Sequence, residues 1–158
     1  MVEYKFGGFF MQKIIAIILF IFSFFTAGDM TKANVTVAKE LTAGDTSAVF
    51  VFENKTGKAI SPDVKVESVE KEVLGEWVPL NFEQAAFDAA GKSAFETRVY
   101  PTEKINLNVT FLVTIANVTV EYPLTAGNYR ITVSYKTDGY SSVTEGTLTS
   151  PFTVAQAA

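Results

Sequence analysis

A run of near-strict alternation between apolar and polar side chains, KINLNVTFLVTIA at residues 104–116, constrains the fold of this chain most. Apolar side chains occupy every second position: Ile105, Leu107, Val109, Phe111, Val113 and Ile115. Residues two apart share one face of a strand but not of a helix, so the run predicts a long strand with one buried face. After Asn117 the apolar positions move to Val118, Val120 and Tyr122. This change of phase predicts a turn or a bulge, because a shift by one residue exchanges the two faces.

Shorter alternating or continuously apolar segments recur along the chain. They span residues 34–39, 47–54, 64–73, 76–80, 94–100, 124–135 and 147–154. Turn residues such as Leu74-Gly75 separate them, and only the interlude 81–93 lacks alternation. That interlude predicts one helical turn, with Phe82 and Phe87 against the sheet edge. Short strands with regularly spaced turns favour an all-β fold, a β-sandwich of 7–9 strands, over residues 34–158.

The N-terminal segment has the pattern of a signal peptide. The apolar run IIAIILFIFSFF, residues 14–25, follows Lys13 and precedes small residues that end at Ala33. We therefore expect residues 1–33 to form a signal helix cleaved after Ala33, and the domain to be secreted, extracellular or at the cell surface. Residues before Met11 can be back-translated into a ribosome-binding sequence, which makes Met11 the expected start. The alternative is an uncleaved anchor, the one case in which the membrane is a partner.

The composition excludes most of the common catalytic and metal-binding groups. The chain has no Cys and no His, so a His general base, a Ser–His or Cys–His nucleophile and an ordinary zinc site are excluded. The net charge of −4 argues against nucleic acid as a partner. Several carboxylates lie close together in sequence, at Glu67, Glu70, Glu72 and Glu76. On an alternating strand they indicate a solvated face rather than a glycosidase pair. We expect no catalytic residues, no metal and no cofactor.

The tetrapeptide LTAG occurs twice, at residues 41–44 and 124–127, each time before an alternating run. The second copy leads into Tyr129 with the order apolar residue, turn, Gly, any residue, Tyr. This order is typical of the tyrosine corner of immunoglobulin-like sandwiches. We expect Leu124 to fill the core, Gly127 to allow the tight turn, and the Tyr129 hydroxyl to bond back to the chain upstream. The first copy predicts an entry turn only.

Over residues 40–155 the chain resembles the bacterial immunoglobulin-like domains of small secreted or surface proteins, of the Gram-positive type. The motifs that carry the resemblance are Phe52-Glu53-Asn54-Lys55-Thr56, Val69-Glu70-Lys71 with Gly75-Glu76-Trp77, Phe82 and Phe87, Gly127-Asn128-Tyr129-Arg130-Ile131 and Phe152-Thr153-Val154. The long strand at 104–116 departs from the family pattern, which has a shorter strand and a loop there. The resemblance implies an immunoglobulin-like Greek-key β-sandwich and an extracellular setting, and it supplies no catalytic residues.

Two places are candidates for binding. Trp77 is expected to pack on its hairpin strand beside the core, with a ligand platform as the alternative. The loop containing Asp138, Gly139, Tyr140 and Ser141 joins the last two strands, where sandwiches commonly present variable contacts. An ordinary polar hairpin is the alternative there.

Two functional hypotheses follow. The first is a non-enzymatic secreted or cell-surface module that acts through structural, adhesive, protein-binding or glycan-binding contacts, including self-association. The second is an inhibitor of an extracellular proteinase that uses an end loop, either 81–93 or 137–146.

Overall fold

A computed structural model describes residues 33–61, 64–85, 98–137 and 144–157. These residues belong to one compact unit, Lys32–Ala158. The predicted signal segment up to residue 32, Phe87, and the loop residues Asp138, Gly139, Tyr140 and Ser141 lie outside the described residues. Within the described ranges, no helix is long and apolar enough to cross a membrane.

The described ranges contain ten strands and no helix. The strands are β1 Asn34–Val37, β2 Leu41–Thr42, β3 Ser47–Glu53, β4 Lys65–Val73, β5 Glu76–Pro79, β6 Asn81–Gln84, β7 Lys104–Ile115, β8 Val118–Glu121, β9 Gly127–Thr137 and β10 Thr144–Ala155. The prediction of an all-β fold is therefore confirmed, while the predicted number of 7–9 strands was too low.

The strands form two five-stranded sheets. The first has the order β1-β3-β7-β6, with β8 also paired to β7, and the second has the order β2-β10-β9-β4-β5. In immunoglobulin lettering these are A-B-E-D and A′-G-F-C-C′, in which the first strand is split between the sheets. β1 pairs antiparallel with β3, whereas β2 pairs parallel with β10. This order of strands makes the fold an immunoglobulin-like Greek-key sandwich.

The core lies between the alternating faces of the two sheets. Phe50, Phe52, Leu107 and Phe111 come from the first sheet, and all four are fully buried. The second sheet contributes, among others, Val69, Tyr129, Ile131 and Val133. The ring of Phe50 meets that of Phe152 edge-on at 5.2 Å between centroids, and Phe152 stacks on Tyr129 at 5.3 Å. These aromatic contacts join the sheets without a disulfide.

The change of phase at Asn117 is a two-residue turn between β7 and β8. Ala116 and Asn117 have φ values of 49° and 67°, and Ile115 pairs with Val118 across the turn. Leu74 and Gly75 form a similar turn between β4 and β5, with φ values of 54° and 87°. Two positive φ values match the right-handed twist of the flanking strands.

The interlude at 81–93 was predicted incorrectly in its first part. Residues 81–84 form β6, and Phe82 pairs with Phe111 of β7. Phe82 does pack against the core from the sheet edge, as expected. Residues 81–84 form a strand because they hydrogen-bond to the edge of β7 that β3 does not cover. Pairing of this kind depends on distant residues, so the four-residue segment shows little alternation in its own sequence. Of the predicted strand 94–100, the described part contains Val99, which bridges to Ile60.

Candidate functional site

The segment before β9 ties the two sheets together. Tyr129 is fully buried, and its hydroxyl donates to the Thr125 carbonyl at 2.6 Å and accepts from the Thr125 amide at 3.3 Å. Leu124 is buried in the core, and Gly127 has a φ of 145°. A side chain at Gly127 would also meet Lys71, whose Cε lies 3.3 Å from the ideal Cβ position. These residues form a tyrosine corner with a structural role.

The two LTAG segments lie side by side, which the sequence did not indicate. The Gly44 amide donates to the Leu124 carbonyl at 2.9 Å, and the Leu124 amide donates to the Asp45 carbonyl at 2.8 Å. The first copy is therefore hydrogen-bonded to the crossover segment that contains the second copy. The repeat therefore supports the architecture at this crossover.

Trp77 lies on the outer face of the second sheet, and its predicted position beside the core was wrong. It pairs with Glu72 across the β4–β5 hairpin, and it is not among the side chains that pack against the core. Glu70 and Glu72 alternate with the buried Val69, so the register directs Trp77 to the same outer side. Four residues of β5 were too short a pattern to reveal that register.

Arg130 of β9 lies over the Trp77 ring. Its Cζ atom is 4.5 Å from the ring centroid, and its Nε atom is 2.6 Å from Oε2 of Glu70 on β4. The hydrogen bond from Arg130 lowers the pKa of Glu70, burial opposes this effect, and the charge attraction adds to it. The same contact raises the pKa of Arg130. The pair therefore remains charged at neutral pH, which favours the cation–π contact.

Asn128 completes the group. Its Nδ2 donates to Oε2 of Glu72 at 2.9 Å. We call the outer surface formed by Glu70, Glu72, Trp77, Asn128 and Arg130 the Trp77 face. A shallow cleft of about 390 Å³ borders it, lined by Glu72, Trp77, Asn128, Tyr129, Pro151, Phe152 and Thr153.

Asn128 and Arg130 were missed as site residues although the sequence contained a signal. They occupy the alternate positions of GNYRI, opposite the core residues Tyr129 and Ile131. An Arg and an Asn on the solvent side of a central strand are positions where a contact surface can form. Their pairing with Trp77 depends on the β4–β9 register, which includes an irregularity between Val66 and Ser68.

Several carboxylates of the predicted solvated face accept hydrogen bonds from neighbouring side chains. Besides the contacts of Glu70 and Glu72, Glu67 accepts a hydrogen bond from Ser134 at 2.6 Å. In the part of the chain that the structure describes, no three Asp, Glu, His or Cys side chains are grouped so as to hold a metal ion.

The second predicted binding place, Asp138 to Ser141, lies outside the described residues, between Thr137 and Thr144 in the sequence. Thr137 pairs with Thr144 across the β9–β10 hairpin, and Lys136 forms an ion pair with Glu145 at 3.1 Å. The binding role of Asp138, Gly139, Tyr140 and Ser141 therefore stays a prediction.

A scan of the chain against protein-family models finds no match. A search of curated proteins finds no match either. Among solved structures, the chain is similar to an ASH/PapD-like domain of human CEP192, PapD-like domain 7, at 9% identity and a TM-score of 0.42. The similarity covers 82% of this chain and 89% of that chain. The assignment to the immunoglobulin-like sandwiches rests on the strand order described above.

Proposed function

We propose that the protein is a secreted or cell-surface, non-enzymatic immunoglobulin-like module of the bacterial type, which binds a protein partner through the Trp77 face. The observation that carries this proposal is the stack of Arg130 on Trp77, held by Glu70. Trp and Arg are the residues most enriched among those that dominate binding energy at protein interfaces. The apolar run at 14–25 and the family resemblance support the extracellular setting.

The Trp77 face is prepared for binding. Its residues lie on β4, β5 and β9, and the hydrogen bonds Arg130–Glu70 and Asn128–Glu72 fix their side chains. Side chains that are already ordered lose less entropy when a partner binds. The cleft beside Trp77 is open and shallow, which suits a protruding side chain of a protein better than an enclosed small molecule.

The first test measures binding of the purified chain to intact cells. Wild-type protein is compared with Trp77→Ala, which removes the aromatic contact, and with Thr147→Ala, an exposed change on the same sheet. We expect Trp77→Ala to weaken binding about tenfold or more, as for an interface residue of this type, and Thr147→Ala to leave it unchanged. Equal binding of all three proteins would contradict the proposal. Unfolding curves of the variants check that each is folded.

The same cell-binding assay identifies the class of partner. Binding to cells should be lost after the cells are treated with a proteinase and retained after periodate oxidation of their glycans. The reverse result would replace the protein partner with a glycan.

N-terminal sequencing of the protein from the medium should find a chain that begins near Asn34. An intact N-terminus in the membrane fraction would contradict secretion and leave a tethered module.

A further inference from the structure

The hairpin β7–β8 carries an apolar surface that the second sheet does not cover. Val113 pairs with Val120, and Ile115 pairs with Val118, so these four side chains share the face that forms the core farther down β7. Yet Ile115 is 62% exposed, Val118 is 60% exposed and Val120 is 44% exposed. The buried face of β7 thus continues past the core into solvent.

The outer edge of β8 is open in the described part of the chain, where β8 pairs with β7 alone. The Tyr122 amide donates to the Phe111 carbonyl at 2.8 Å, and Val118 pairs with Ile115 across a two-residue turn. Amide directions alternate along a strand, so the amides of Val118 and Val120 point toward β7. Those of Thr119 and Glu121 point outward, to the open edge.

Natural edge strands are usually protected by Pro, Lys or a bulge. The edge strand of the other sheet, β5, ends in Pro79. The sequence of β8, VTVE, contains none of these features. Glu121, its charged residue, accepts a hydrogen bond from Thr46 at 2.6 Å and lies at the end of the strand away from the turn.

We propose that a second copy of this chain pairs with β8 in an antiparallel register centred on Thr119. A two-fold axis at Thr119 places Val118 opposite Val120 of the other copy, and Thr119 opposite itself. Apolar residues then meet apolar residues on one face, and no charged side chain faces its own copy, which would be unfavourable. Since the Thr119 amide and carbonyl point outward, the two copies of Thr119 can exchange a reciprocal pair of hydrogen bonds.

This arrangement gives one sheet that continues across the dimer. It brings the exposed Val118 and Val120 of both copies together beside the exposed Ile115. The paired strands are four residues long, so the contact is small and the dimer is of the weak, transient class. The proposal does not depend on the Trp77 face, which lies on the other sheet.

The first experiment uses the absence of cysteine from the chain. In the proposed register Thr119 faces its own copy, and directly opposed strand residues have Cα atoms about 5.5 Å apart, within the range for a disulfide. Mild oxidation of Thr119→Cys should therefore yield a covalent dimer. Thr147→Cys, an exposed position on the other sheet, is the matched control and should remain monomeric. Equal dimer formation by both variants, or none by Thr119→Cys, would overturn the proposal.

The second experiment tests the hydrogen bonds without adding a reactive group. Thr119→Pro removes an amide that points to the open edge, so the β7–β8 pairing is kept. Thr119→Val removes the same hydroxyl but keeps the amide. In sedimentation velocity over a concentration series of the purified chain, wild type and Thr119→Val should dimerise alike. Thr119→Pro should weaken the dimer about tenfold or more, because both reciprocal bonds are lost.

All variants share residues 1–32, so association through that segment would affect them equally. A dimer that is unchanged in Thr119→Pro, or a wild-type chain that stays monomeric throughout the series, would contradict pairing through β8. If Thr119→Pro is unfolded by circular dichroism, the cross-linking result of Thr119→Cys against Thr147→Cys decides the question alone.

Discussion

Asn54 is a buried amide at the end of β3, and all of its polar groups have partners. Its Nδ2 donates to the carbonyls of Lys58 at 2.9 Å and Val99 at 2.8 Å. Its Oδ1 accepts from the amide of Thr56 at 2.9 Å and from the Thr56 hydroxyl at 2.6 Å. One side chain therefore joins the loop after β3 to the segment before β7.

Replacing this side chain should destabilise the fold strongly. We expect Asn54→Ala to lower the free energy of unfolding by about 2–4 kcal/mol, because each buried group left without a partner costs about 1–3 kcal/mol. Urea unfolding followed by circular dichroism measures the change. Asn128→Ala, which removes an exposed amide with one hydrogen bond, is the control and should change stability by about 0.5 kcal/mol or less. Equal effects of the two variants would contradict the role of Asn54.

The tyrosine corner is tested by removing one oxygen. Tyr129→Phe keeps the buried ring but leaves the Thr125 carbonyl without its donor at 2.6 Å. We expect a loss of about 1 kcal/mol in the free energy of unfolding. Tyr100→Phe, at a residue that is 54% exposed, should leave the unfolding midpoint unchanged. A Tyr129→Phe variant as stable as wild type would show that the corner bond contributes nothing net.

Gly146 is required by the ring opposite it on the neighbouring strand. It pairs with Tyr135, and a Cβ atom at Gly146 would lie 2.5 Å from Cζ of that ring. The ring is nearly buried and packs on Phe52 at 5.6 Å, so it has little room to move. We expect Gly146→Ala to cost about 1–3 kcal/mol of stability, as other overpacked sites do.

The control for Gly146→Ala is Gly57→Ala, where a new Cβ would meet nothing within 4 Å. Thermal unfolding should show a lower midpoint for Gly146→Ala and little change for Gly57→Ala. Equal midpoints for Gly146→Ala and wild type would mean that the Tyr135 ring moves aside freely.

At the scale of elements, the pair of Glu70 on β4 and Arg130 on β9 gives stability that depends on pH. The hydrogen bond from Arg130 holds the pKa of Glu70 below its ordinary value of 4.5. A carboxylate with a lowered pKa in the folded state contributes in full above its ordinary pKa. The contribution is lost as the pH falls from that value through the lowered pKa, because the unfolded chain takes up the proton first.

Glu70→Gln should therefore reduce stability at neutral pH and flatten the acid side of the stability profile. Urea unfolding at a series of values between about pH 6 and pH 3 covers this range. Glu76→Gln, an exposed carboxylate at the start of β5, is the control and should follow wild type. A wild-type slope in Glu70→Gln would mean that the pair does not contribute.

The longer elements could be predicted from sequence because alternation persists over them. The patterns at 47–54, 64–73 and 104–116 correspond to β3, β4 and β7. Sequence alone could not predict the four-residue β6 or the parallel pairing of β2 with β10, since both arise from contacts with distant strands. The same limit applies to the site. Trp77 was identified, but which face it occupies depends on the register of β5 against β4.

Whether a proline can lie within a strand depends on the neighbours of that strand, which the local sequence does not show. Pro151 lies within β10, opposite Arg130 of β9. This is tolerated because β2 pairs with β10 only at Val154 and Ala155, so the other side of Pro151 is a free edge among the described strands. Among the described strands, the part of β10 around Pro151 therefore pairs with β9 alone.

At the scale of the molecule, the strand order separates two surfaces with different chemistry. The outer face of the second sheet carries the charged and aromatic Trp77 face, whereas the open edge of the first sheet carries the apolar β8. A partner on the Trp77 face and a second copy on β8 would therefore occupy different sheets.

Trp77, which is proposed to contact the partner, is the one tryptophan of the chain. It can be replaced during biosynthesis by 5-hydroxytryptophan, whose emission is excited apart from that of ordinary tryptophan. The measurement is collisional quenching of this emission by acrylamide, with the chain free and then bound to the cell envelopes that retain it. If Trp77 contacts the partner, the quenching constant falls several-fold on binding. A quenching constant that is the same in the free and bound chain would contradict this contact.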